Sequence, residues 1–275
     1  MPILLDIYEK YNIKSTFFFT GYIAKLIPDI VKMILGKGHE VASHGLSHKV
    51  ENGFDIMPFN KQKEHLLTSK NILEDISGEE VISFRAPALR MNEFTSKALI
   101  ETDYKIDSSV ASQRFDMFMS FGGLKKLNWL TAPRLPYRTS EKSIFKKGNA
   151  NLIEVPLSAT IFPYIGTTMR IFPLLTRCQH HLLNFESKIN KKPIVFDIHP
   201  NEFIDESSEK REITRRSKNS ITFILKDLVR SKLKIKNLGK DAIPLYEKEI
   251  EYFLTKDYKF LTIKDYCIQT GLLKF

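Results

Sequence analysis

The sequence predicts an α/β protein built on parallel strands with helical crossovers, either a barrel or an open sheet. Three observations carry this. Short β-branched or aromatic runs alternate with amphipathic helical stretches along the chain. No stretch rich in Gly, Ser or Pro divides it, and no internal repeat is present, so one domain over 1–275 is expected. At 275 residues with 43% apolar and 27% charged side chains, the chain can bury a full core.

The elements follow in order. Pro2 and the apolar residues Ile3, Leu4, Leu5, Ile7 and Tyr8 predict an amphipathic helix that begins at once. Lys14 to Phe19 reads as a buried strand, and Pro28 to Leu35 as a helix stopped by Gly36-Lys37-Gly38. Glu40–Ser43 is a second strand, 58–76 a helix, 81–84 a strand, 92–101 a helix and 104–106 a strand. Later strands are expected at 153–155, 193–198 and 258–262, with helices around 171–190, 219–233, 244–255 and 263–270. Residues 111–150 fit no period and read as an irregular excursion.

Composition excludes several classes. The richest apolar stretch, Thr16 to Leu35, is broken by Lys25, Pro28, Asp29 and Lys32, so it is no membrane span. Two cysteines, Cys178 and Cys267, can build neither a disulfide scaffold nor a Cys-based zinc site. No basic segment followed by an apolar run opens the chain, so no secretory signal is visible and the cytoplasm is the default expectation. The net charge is +10, and 205–240 alone holds eleven basic and five acidic residues. That stretch matches no nucleic-acid motif and lacks interleaved aromatics, so it reads as a solvated surface with no specific nucleic-acid partner.

Chemistry-bearing residues gather where predicted strands end, which is where parallel α/β folds build their sites. His44 and His48 follow the second strand, and two imidazoles four residues apart can converge on one ion. Two histidines in a polar surface loop are the bland alternative. Arg85, in Phe84-Arg85-Ala86-Pro87, is aimed by a stiff backbone and suits a carboxylate, either a packing partner or a substrate. Asp107, followed by Ser108 and Ser109, orients a histidine or binds substrate on one reading, and caps a turn on the other. His199 lies just past the apolar run 193–198. Four such strand ends in a barrel would converge on one face.

Together these motifs resemble the polysaccharide deacetylase family, carbohydrate esterase family 4. The segment KYNIKSTFFFTGYIAKLIPDIVKMILGKGHEVASHGLSH is similar to that family's stretch from first helix to metal-binding His-x3-His. SFRAPALR resembles its Arg-x-Pro motif, YKIDSS a Tyr-x-x-Asp-Ser-Ser variant, and VFDIHPNEF a later motif. The resemblance implies a distorted (β/α)7-like barrel and metal-dependent hydrolysis of N-acetyl groups on sugars. It implies zinc or another divalent ion on His44 and His48, Arg85 bracing a general base, and His199 as general acid. Asp107 departs from the tryptophan-containing fourth motif, and Trp129 is not placed to supply it.

The family's first strand, with its Asp-Asp pair, would precede the first helix, where only Met1 stands. The expectation is therefore a chain truncated at that strand, its metal site and base incomplete. The expected partner is an N-acetylated glycan or a small amide. An allantoinase-like amidohydrolase and an inactive glycan-binding relative are the alternatives.

Overall fold

The computed structural model describes residues 1–114, 123–205, 233 and 235–274. The predicted helix at 219–233 and most of the basic stretch 205–240 lie outside the described residues. By its internal contacts the chain forms two compact units.

The larger unit comprises Asn12–Pro163, Glu186–Val195 and Lys259–Phe275. It holds a seven-stranded mixed sheet of order β1-β2-β3-β4-β7-β5-β6. Strands β1 (Thr16–Phe19), β2 (Glu40–Ser43), β3 (Ser83–Phe84), β4 (Ile106–Asp107) and β7 (Ile153–Glu154) are parallel neighbours. The crossovers between them are α2 (Gly21–Leu26), α3 (Pro28–Gly36), α4 (Phe59–Ser77) and α5 (Thr95–Glu101). This α/β architecture with a mixed sheet is the arc of a distorted barrel. Ile82, Ile106, Ile153, Val155 and Cys267 fill the space between the ladder and α9 (Ile263–Gln269).

Two expectations are corrected here. Within 111–150, β5 (Tyr137–Ser140) and β6 (Ser143–Lys147) form an antiparallel hairpin, and β5 extends the ladder against β7. Its turn, Glu141-Lys142, carries no glycine or asparagine, so nothing in the local sequence announces it. The runs at 193–198 and 258–262 form no ladder strands. Ser158 donates its N–H to the Val195 carbonyl, but its hydroxyl, not its backbone, accepts the Val195 N–H at 3.0 Å. Just past 258–262, at the start of α9, Ile263 N–H donates to Thr16 Oγ1 at 2.8 Å and Lys264 N–H to Glu40 Oε2 at 3.1 Å. Side chains thus take the place of strand pairing. Buried Glu40 also accepts from Thr16 Oγ1 and from Ser83 Oγ, and burial pushes its carboxyl above the ordinary range.

The smaller unit comprises Met1–Tyr11, Tyr164–Phe185 and Phe196–Tyr258. It contains α1 (Pro2–Lys10), α6 (Gly166–Ile171), the start of α7 (Pro173–Asn190) and α8 (Ala242–Leu254). Leu4, Leu5, Ile7 and Tyr8 are the buried face of α1, and the Tyr8 hydroxyl meets that of Tyr246 on α8 at 3.0 Å. Residues 165 and 197 make one isolated parallel bridge, all that forms of the strand expected at 193–198.

Candidate functional site

The loop leaving β2 is fixed before any side chain acts. His44 N–H donates to the Phe19 carbonyl at 2.7 Å, and Gly21 N–H to the Gly45 carbonyl at 2.9 Å. Gly45 takes φ +70°, and a Cβ there would lie 3.1 Å from the Phe54 ring. A side chain is disfavoured on both counts, so glycine suits the turn between the two histidines. His44, half-buried, and His48, exposed, thereby face each other with ring centroids 5.5 Å apart.

The His44 imidazole is oriented through Nδ1, which lies 2.6 Å from the Arg85 carbonyl oxygen. With Nδ1–H donating, Nε2 keeps its lone pair, the tautomer a metal ligand needs. Two imidazoles sharing zinc at ~2.0–2.1 Å set their ring centres about 5 Å apart, so this spacing suits a common ion. The donor set stops at two. Among the described residues no group of three His, Cys, Asp or Glu side chains could hold a metal, whereas catalytic zinc commonly has three protein ligands. The pair therefore fits a divalent ion as a partial site.

Arg85 is buried at the end of β3. Its Nε donates to the Ser108 carbonyl at 2.8 Å and its Nη2 to Ser108 Oγ at 2.9 Å, with the guanidinium 4.3 Å from the Phe18 ring centre. The next residue, Ala86, donates its N–H to Ser109 Oγ at 2.8 Å, and that hydroxyl donates to Asp107 Oδ1 at 2.6 Å. Asp107 ends β4 with no exposed surface, its Oδ2 accepting the Ser109 N–H in a local turn.

Sequence reasoning missed Glu154. It stands opposite Asp107 in the β4–β7 register and is equally buried, with Oε1 accepting the Val110 N–H at 3.0 Å. Burial raises the Asp107 carboxyl above its ordinary range. Burial and the adjacent Asp107 charge hold Glu154 well above its own. Two facing carboxyls cannot both ionise cheaply, so the pair keeps a proton between them. The signal was the register alone: a Glu inside Ile-Glu-Val reads as an outward strand residue until the neighbouring strand is placed.

His199 lies in the smaller unit, exposed, with Nδ1 3.8 Å from Glu202 Oε1. Glu202 is itself buried against Arg170. The structure thus brings together His44, His48, Arg85 and Asp107 within the larger unit and places His199 in the other.

An α/β protein of barrel type, with its polar cluster at the C-terminal ends of parallel strands, is the class that fold and site define. Residues 1–106 match the family model for polysaccharide deacetylase. A peptidoglycan deacetylase of Helicobacter pylori is 30% identical over 115 residues, covering 42% of this chain and 38% of that protein. A peptidoglycan-N-acetylglucosamine deacetylase of Bacillus cereus is 30% identical over 105 residues, covering 38% and 47% respectively. The chain spans less than half the length of these relatives. Among solved structures, Puue allantoinase matches with a TM-score of 0.55 at 16% identity, over 95% of this chain and 68% of that one, a likeness of fold. Among the described residues no helix is long and apolar enough to cross a membrane.

Proposed function

We propose that this chain takes part in hydrolysis of N-acetyl groups on a sugar polymer, with His44 and His48 as the imidazole share of a divalent-metal site. The observation that carries this reading is the imidazole pair at 5.5 Å, its inner member fixed through Nδ1 to the Arg85 carbonyl. The names of the Helicobacter and Bacillus relatives support the substrate class. A divalent ion on the pair would supply Lewis-acid polarisation of the acetamide carbonyl.

The chain's own residues have distinct parts. Arg85 is a positioning residue, because its side chain is spent on Ser108 while its carbonyl orients His44. Asp107 supports the same backbone through Ser109. His199, an exposed imidazole, is the proposed proton donor to the departing amine, the part that the resemblance of its motif implies.

The test is acetate release from N-acetylglucosamine oligomers and from peptidoglycan, with zinc added, and allantoin as the small-amide control. Release from the glycans that disappears in His48→Ala is expected. No release from any N-acetylated glycan, or turnover of allantoin alone, would overturn the reading.

A further inference from the structure

A cleft of about 640 Å3 opens within the smaller unit, walled by the end of α6, the first turns of α7, and α8. Its volume lies in the range that accepts one small ligand. Apolar wall comes from Met169, Leu174 and Leu245. Leu174 is 75% exposed.

The charges around this wall divide cleanly. Both carboxylates are engaged: buried Glu249 accepts the Tyr164 hydroxyl at 2.5 Å and pairs with His180 Nδ1 at 2.9 Å, while Glu251 accepts the Tyr11 hydroxyl at 2.6 Å. The two cations lining the cleft, Arg177 and Lys248, are exposed and have no carboxylate partner among the described residues. His180, stacked on Tyr252 at 3.7 Å, is 5% exposed, and its buried Nε2 has no hydrogen-bond partner. The ring is held on one side by a carboxylate, and its other nitrogen faces no hydrogen-bond partner. The charge left unpaired along the cleft among the described residues is therefore that of Arg177 and Lys248, and it borders an apolar wall.

We infer that this cleft binds an amphiphilic anion, a carboxylate or phosphate head held by Arg177 and Lys248 and an acyl-type body lying on Met169, Leu174 and Leu245. The site uses none of the residues proposed for deacetylation, so the inference stands or falls separately from that reading. Buried surface supplies the attraction for the body, and the two cations select the sign of the head.

The experiment is calorimetric titration of the full chain with dodecanoate, dodecyl phosphate, dodecanol and inorganic phosphate, all below micellar concentrations. Saturable one-to-one binding of both dodecyl anions is expected, at least tenfold tighter than dodecanol or inorganic phosphate. Arg177→Gln and Lys248→Gln, both at exposed positions, are each expected to weaken the anions about tenfold and leave dodecanol unchanged. Leu174→Gln is expected to weaken the dodecyl ligands. Equal affinity for dodecanol, equal affinity for inorganic phosphate, or indifference to both cation variants would overturn the inference. Dodecanoate binding without dodecyl phosphate binding would confine it to carboxylates, and the reverse to phosphate-headed lipids.

Discussion

Two buried carboxylate clusters, one in each unit, solve the same physical problem in opposite ways. In the larger unit Glu154 faces a second acid, Asp107, and burial raises both carboxyls, so the pair is stable while it holds a proton. In the smaller unit Glu249 faces a tyrosine hydroxyl and an imidazole, so its charge is met by donors. The lesson concerns sign. Removing a charge should relieve the first cluster and injure the second, although both acids are buried glutamates.

The sharpest way to break this contrast is Glu249→Leu. It leaves the Tyr164 hydroxyl and His180 Nδ1 buried without an acceptor, and a loss of about 3 kcal/mol is expected in urea unfolding. An unchanged midpoint would show that Glu249 carries no such burden. Next in size, His44→Ala should lower zinc affinity about 10–100-fold in a competition titration with a chromogenic chelator, since it removes one of two imidazoles. Equal zinc affinity in the variant would mean that the pair is not the ion's seat.

Glu154→Gln tests the opposite sign. A raised folded-state carboxyl means that the native state binds the proton more tightly than the unfolded chain. Wild-type stability therefore falls as pH rises from the ordinary carboxylate value near 4.5 through the raised one. The Gln amide keeps an acceptor for Val110 N–H and offers a donor to Asp107. The variant should be about 1–2 kcal/mol more stable than wild type at pH 8, with little difference at pH 4. A penalty equal to that of Glu249→Leu would erase the contrast. The smallest effect separates the helix ends. Thr262 Oγ1 accepts the Asp265 N–H and caps α9, so Thr262→Ala should cost about 1 kcal/mol. Asp241 makes no side-chain cap on α8, and Asp241→Ala should cost a few tenths.

The parallel ladder was legible because its strands announce themselves locally. Thr-Phe-Phe-Phe and Glu-Val-Ala-Ser are short runs with buried residues, and β2 falls on Glu40–Ser43 as expected. His44, His48 and Arg85 were legible for the same reason, since each follows such a strand. What escaped depends on partners distant in sequence. The hairpin at 137–147 lacks a turn signal, the run at 193–198 has its Val195 N–H claimed by the Ser158 hydroxyl, and the helix that follows 258–262 is tied to Thr16 and Glu40. Glu154 became a member of the site through register with Asp107, and no periodicity encodes that.

Glu40 has a consequence for the order of events during synthesis. Its carboxyl is buried among donors from Thr16, Ser83 and Lys264, and the last of these lies 224 residues downstream. While the chain is being made, β1 and β2 can emerge and pair, yet a donor for that buried acid has not been translated. Strands β1 and β2 are thus completed by a donor translated long after both of them. A nascent chain halted before α9 should hold Glu40 in water, with its neighbouring strands open to proteases, and should close only when Lys264 arrives.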